Sequence, residues 1–315
     1  MPRAGRTVSI LALLLLGLIF NLDSPAQVRR GVPLRPITIV TVPNSTVWID
    51  GVRYGVTDDD GRLKISSISA GAHSMRIRAK GFSEITKSLP ATARGDVVIN
   101  ITKAADDAEL AFQVAEFLTT YDRRKAIAGY ERAIGLRPKF PEAYLGMSRM
   151  LSESGDLEKA EKALREAKRL RPGYAEASAV EGRLLKDTGE EDKAIAAFKR
   201  AITEGRGFQP EAYTGLGLLY KDRAENSGAS GEFNQETASY GEAAKYLAVA
   251  AKQLGSAPDA MVVYQLLGLV YERQKKFKEA IALYEEFLRL FPNTSEASAV
   301  ESFIVQIKKQ MTEPK

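Results

Sequence analysis

The chain has no cysteine and a single histidine, His73, among its 315 residues. The first absence excludes disulfides, thiol nucleophiles, zinc–thiolate centres and a lipidated N-terminal cysteine. The second removes most of what remains of a metal-ligand or nucleophile–base inventory. Tryptophan occurs once, as Trp48. Charge of one sign is never concentrated. The formal charge is +5, but no stretch collects five or six like charges. This is ordinary solubility, not a nucleic-acid footprint. Glycine-rich phosphate loops and closely spaced carboxylate pairs in a catalytic context are also missing. The expectation is a protein that is not an enzyme and needs no cofactor or metal.

Long apolar runs are scarce too. The exception, Val8 to Phe20, follows Arg3 and Arg6 and precedes Ser24-Pro25-Ala26. A basic start, a short apolar core and small residues at a processing site describe a secretory signal over 1–26, cleaved after Ala26. The alternative is an uncleaved membrane anchor at residues 8–20, although a span needs about 20 apolar residues. Either reading places the remainder outside the cytoplasm, periplasmic or secreted. Residues 27–36 carry two prolines and no helical period, and read as a linker.

Residues 37–102 have a strand period. Ile37–Val42 and Thr46–Ile49 are short β-branched runs, and Asp50-Gly51 is a hairpin dipeptide. His73 to Lys80 alternates, with Met75, Ile77 and Ala79 on one face and Arg76, Arg78 and Lys80 on the other. Six or seven short strands predict a small all-β sandwich. Trp48 is expected in its core. An exposed Trp48 would instead mark a carbohydrate or peptidoglycan contact. His73 is expected to make a local hydrogen bond beside a turn. Asp58-Asp59-Asp60-Gly61 is read as a polar turn, because a calcium loop would need further oxygen ligands at fixed spacing.

From Asp106 the period becomes helical and a repeat emerges. Ala126, Ala160 and Ala194 are spaced by 34 residues, as are Tyr130, Leu164 and Phe198, and Ala133, Ala167 and Ala201. Tyr213, Gly217 and Tyr220 return 51 residues later as Tyr264, Gly268 and Tyr271. These spacings resemble the tetratricopeptide-repeat (TPR) family, whose unit is a helix–turn–helix. The resemblance covers 107–294 in five units: 107–140, 141–174, 175–208, 210–260 and 261–294. Gly182, Gly217 and Gly268 fall where the two helices of a unit touch. A proline ends units at 138, 172 and 292. Val114 and Ser148 replace the usual small glycine in the first two units. The surplus in the fourth unit, near 223–239, is Gly-, Ser- and Asn-rich and reads as a surface loop. Residues 295–310 read as a capping helix.

Pro43, Val47-Trp48-Ile49-Asp50-Gly51, Gly55, Gly71-x-His73 and Lys80-Gly81-Phe82 resemble the PEGA domain family. The segment from Thr57 through Gly71 to Phe82 also resembles the carboxypeptidase regulatory-like sandwich. Both resemblances imply an accessory module of the cell envelope and no catalysis. The TPR resemblance implies an all-α superhelical solenoid with a concave groove, lined by first helices, that binds a protein or peptide. By register, Arg149, Arg183, Lys186, Thr214, Leu218, Lys221, Gln265 and Leu269 line that groove. Its two Arg and two Lys favour an acidic or C-terminal-carboxylate segment. Alternatively, Glu142, Glu176, Glu211, Asp187 and Asp222 neutralise them. Two functions follow: an extracytoplasmic adaptor holding a partner in the groove, or a structural envelope protein whose β-module binds cell-wall polymer. Nucleic acid is not expected as a partner, and membrane only if the N-terminal segment is retained.

Overall fold

The computed structural model describes residues 36–68 and 71–312, which lie in one compact unit spanning Leu34–Lys315. The signal or anchor segment and most of the linker lie outside the described residues.

Among the described residues the β-module has seven strands: β1 (Ile37–Val40), β2 (Thr46–Ile49), β3 (Val52–Val56), β4 (Arg62–Ile65), β5 (His73–Arg78), β6 (Ile85–Leu89) and β7 (Gly95–Val98). They form two sheets, in the order β4-β1-β7 and β3-β2-β5-β6. β1 pairs antiparallel with β4 and parallel with β7, while the second sheet is antiparallel throughout. Alternation decides what lies between them. Ile37 and Ile39, Val47 and Ile49, and Met75 and Ile77 point inward and are buried in one cluster. Trp48 therefore points the other way and is half-buried, so the expectation that it joins this core is corrected. Two β-branched neighbours claim the inner face, and the period of two leaves Trp48 no choice. Asp50 and Gly51 have φ of 51° and 82°, the left-handed pair that joins β2 to β3. The Asp50 carboxylate accepts from Ser74 N–H at 2.8 Å and meets His73 Nδ1 at 2.6 Å, bracing that turn. The Asp58 carboxylate likewise accepts from Asp60 and Arg62 N–H at 3.1 and 2.7 Å, closing its own turn.

Among the described residues the helical part comprises five hairpins and a last helix: α1 (Asp107–Leu118) with α2 (Arg123–Leu136), α3 (Pro141–Glu153) with α4 (Leu157–Leu170), α5 (Ala175–Asp187) with α6 (Glu191–Glu204), α7 (Pro210–Ala229) with α8 (Phe233–Leu254), α9 (Ala260–Arg273) with α10 (Phe277–Leu290), then α11 (Ala297–Thr312). The segment near 223–239 is not a loop. It lengthens α7 and α8 to 20 and 22 residues around a turn of three. Its buried Ala224, Ser227, Ser239 and Tyr240 give both extensions an inward stripe, which outweighs the helix cost of the intervening Gly and Ser.

Small residues set the spacing of the hairpins. Ala126, Ala160, Ala194, Ala243 and Ala280 are all fully buried on the second helices. Four residues on, Tyr130, Leu164, Phe198, Leu247 and Tyr284 insert toward the first helices. A Cβ on Gly182 would lie 2.6 Å from the Phe198 ring, one on Gly217 2.6 Å from Leu247, and one on Gly268 2.2 Å from the Tyr284 hydroxyl. At the equivalent place in the second unit, Ser148 is buried and donates to the Ala160 carbonyl at 2.8 Å. α11 caps the stack by burying Val300, Ile304 and Ile307 against the last hairpin.

Gly182→Ala should therefore lower stability by about 1–3 kcal/mol through overpacking against Phe198. Gly135→Ala, whose Cβ would meet open space, should be neutral or stabilising by up to about 1 kcal/mol through helix propensity. Thermal denaturation followed by circular dichroism checks the opposite signs. Equal effects from the two substitutions would contradict this packing.

Candidate functional site: a cavity between the solenoid and the β-module

The β-module packs on the face formed by the first helices. It is held at two ends. At one end, Gln113 of α1 accepts from Gly81 N–H at 2.9 Å and donates to the Phe82 carbonyl at 2.8 Å. Arg78 reaches Glu116 at 3.2 Å and Glu84 at 2.5 Å, and its guanidinium lies over the Phe112 ring at 4.5 Å. Glu116 also accepts from the Tyr130 hydroxyl, joining this network to the second helix of the first hairpin. Alternation put Arg78 on the polar face of β5, yet it is buried, because that face is covered by α1. At the other end, Val52 joins the core of α8, α9 and α10, and Tyr54 packs against both that core and the core of the β-module. Ser256 accepts from Ser67 N–H at 3.2 Å and donates to the Ser67 carbonyl at 2.7 Å.

Between the two ends a cavity of about 1050 Å³ remains. Its roof is Trp48, Asp50, Gly51, Val52 and Arg53 of the β2–β3 hairpin. Arg149 of α3, Arg183 and Lys186 of α5, Thr214 and Leu218 of α7, and Val262 of α9 form its floor. Five of the groove residues read from the sequence are thus brought together: Arg149, Arg183, Lys186, Thr214 and Leu218. Lys221, Gln265 and Leu269 lie outside the cavity lining, and Leu269 is 53% exposed. Sequence reasoning missed the whole roof. The outward-pointing Trp48 between two inward neighbours was the signal that could have found it.

The floor cations are already paired. Arg149 meets Glu211 at 2.7 Å, and Arg183 meets the same carboxylate at 3.6 Å. Glu211 drives the Arg149 guanidinium further up from its ordinary value. Lys186 lies 3.6 Å from Asp222, and Lys221 lies 2.8 Å from Glu225. Arg171 pairs with Glu142 and stacks on Tyr174. Of the five carboxylates in the neutralisation alternative, Glu142, Glu211 and Asp222 pair with lining cations, while Glu176 and Asp187 form no ion pair among the described residues. No helix among the described residues is long and apolar enough to cross a membrane.

Three models described as tetratricopeptide repeat match the chain, at residues 118–184, 175–204 and 261–294. These segments are tetratricopeptide repeats. All three lie in the helical hairpins and include the floor residues Arg149, Arg183, Lys186 and Val262, while Thr214 and Leu218 come from α7, outside the matched segments. The crystal structure of the yeast Tom70 is similar at 19% identity, with TM-score 0.52, covering 66% of this chain and 41% of that one. The APC/C hetero-tetramer Cut9–Hcn1 is similar at 17% identity, with TM-score 0.50, covering 66% of this chain and 38% of that one. This chain thus spans about two-fifths of those TPR structures, and the likeness is one of fold. No curated protein matches the sequence.

Two outcomes follow from the docking contacts. Gln113→Ala strands one amide N–H and one carbonyl of the β-module, at about 1–3 kcal/mol. Hydrogen exchange at Gly81 should quicken, while exchange in α10 should not change. Tyr54 supplies a pH signature. Burial and Asp50 push its hydroxyl up to about 12. A folded-state pKa above the unfolded value of 10 means that its contribution is full below pH 10. It is lost as pH rises toward 12, at about 1.4 kcal/mol per unit. Denaturant titrations from pH 9 to 12 should show this loss reduced in Tyr54→Phe, and an unchanged slope would contradict it.

Proposed function

We propose that this protein is a non-enzymatic extracytoplasmic adaptor whose TPR floor and β-module roof together hold a short segment of a partner protein. The observation that carries the reading is the cavity itself. Its size and its apolar side chains Leu218, Val262 and Phe208, set among polar groups, are those of a binding site rather than of a packing defect. A helix about 10 Å across rising 1.5 Å per residue fills about 120 Å³ per residue, so the space suits roughly eight or nine residues. A long helix laid along the whole inner face would collide with the roof. The extracytoplasmic part of the proposal rests on the basic–apolar–small pattern of residues 1–26.

The β-module is, on this reading, a wall of the site first and an attachment device second. Its resemblance to PEGA and carboxypeptidase regulatory-like modules supports envelope attachment through its remaining surface. The alternative, a polymer-binding module on a helical spacer, has less support. Trp48, the side chain best suited to stack on a sugar, is turned toward the solenoid and covered by Arg76 at 4.2 Å.

A photo-crosslinking side chain at Leu218 should, in intact cells, capture an extracytoplasmic protein. The same group at exposed Leu136 on α2 should not, and Thr214→Trp, which fills the cavity, should abolish the Leu218 adduct. Absence of any protein adduct at Leu218, or an adduct indifferent to Thr214→Trp, would reject the cavity as the partner site.

A further inference from the structure

Four carboxylates of the cavity lining have no ion pair or side-chain hydrogen bond among the described residues: Glu176 and Asp187 on α5, Glu204 at the end of α6, and Asp259 before α9. Among the described residues, Arg53 in the roof is the one lining cation without an ion pair. The Arg149–Glu211–Arg183 group keeps one positive charge, since two guanidinium groups share one carboxylate. Asp50 is taken by His73. Setting Arg53 and that one surplus charge against the four free carboxylates leaves 4 − 2 = 2 negative charges uncompensated.

Hydrogen-bonding capacity leans the same way. Glu204 Oε2 is a buried acceptor with neither a hydrogen bond nor an ion pair, whereas Glu211 Oε1 and the unsatisfied Arg183 Nη2 belong to groups that already face each other at 3.6 Å. Buried acceptors without partners favour an occupant rich in N–H donors. From these two observations we infer that the segment held between roof and floor is basic: a short stretch with lysine or arginine side chains alternating with apolar ones. Its cations face Glu204 and Asp259, and its apolar groups meet Leu218, Val262 and Phe208.

This reverses the ligand chemistry that the arginine and lysine register alone suggests. Arg149, Arg183 and Lys186 are committed to Glu211 and Asp222. A carboxylate entering the cavity would have to break those pairs while meeting the free acids. A cation meets free carboxylates without breaking anything. Two or three exposed pairs of this kind change affinity by roughly tenfold.

The inference rests on the cavity being the partner site, and the experiment separates the two. Fluorescent octapeptides alternating lysine with leucine or valine, and the same peptides with glutamate for lysine, are titrated with the full chain by anisotropy. The lysine peptides should bind about tenfold more tightly, with a preference that shrinks as salt rises. Glu204→Gln with Asp259→Asn should weaken lysine-peptide binding, and Arg53→Glu should strengthen it, circular dichroism confirming that each variant is folded. Tighter binding of the glutamate peptides, lost in Thr214→Trp, would overturn the charge assignment and leave the cavity reading standing. Lysine-peptide binding that survives Thr214→Trp would be adhesion to the outer surface and would also overturn it. No binding of either series would remove both the inference and the reading beneath it.

Discussion

The Phe198 ring is wedged between two glycines. A Cβ on Gly182 would come within 2.6 Å of it, and one on Gly215 within 2.3 Å. Gly182 belongs to the same hairpin, Gly215 to the next, so one side chain sets both the spacing inside a repeat and the spacing between repeats. Tyr130 does the same work earlier, against Gly146 of the following hairpin. Each hairpin has too little apolar surface to fold alone, and stacking through such contacts makes one continuous core. The inner face exists because of this. First helices fixed at a regular spacing put Arg149, Arg183, Thr214 and Val262 within one cavity, although they come from four hairpins.

The β-module adds a second constraint of a different kind. It touches α1 through hydrogen bonds and ion pairs, and α8–α9 through Val52, Tyr54 and the Ser67–Ser256 pair. These elements are far apart in the repeat series, so the module spans several hairpins. Arg78 illustrates why the contact is specific. A buried guanidinium adds little net stability over an apolar substitute, but it tolerates only a geometry in which its carboxylates remain in reach. Glu84 on the module and Glu116 on α1 can both be satisfied only when the two parts are in register.

Much of this was legible in the residues and some was not, for physical reasons. The 34-residue spacing of Ala126, Ala160 and Ala194 marks the hairpins because close helix approach permits nothing larger. The alternation of Met75 and Ile77 marks the inward face of β5 for an equally local reason. The groove register was legible as far as Leu218, since it follows from the repeat. What the residues did not disclose was non-local. Nothing in the order Trp48-Ile49-Asp50 says that a turn formed there will roof a cavity built mostly by helices more than a hundred residues away. The helical extension of α7 and α8 was hidden for another reason. Asn226 to Gly231 has the composition of a loop, and only the burial of Ala224 and Tyr240 against neighbouring helices reverses that preference.

Roof and floor also explain each other's charges. A TPR floor open to solvent could leave its cations free to clamp a carboxylate. Here Arg149 and Arg183 are drawn onto Glu211, and Arg171 is held by Glu142 and Tyr174. Pairing offsets part of what partial burial costs these cations. Of the four carboxylates that stay free, Glu176, Asp187 and Asp259 are exposed, and Glu204 is half-buried. The floor cations are taken up by their partners, and the unpaired charge left around the cavity is mostly acid.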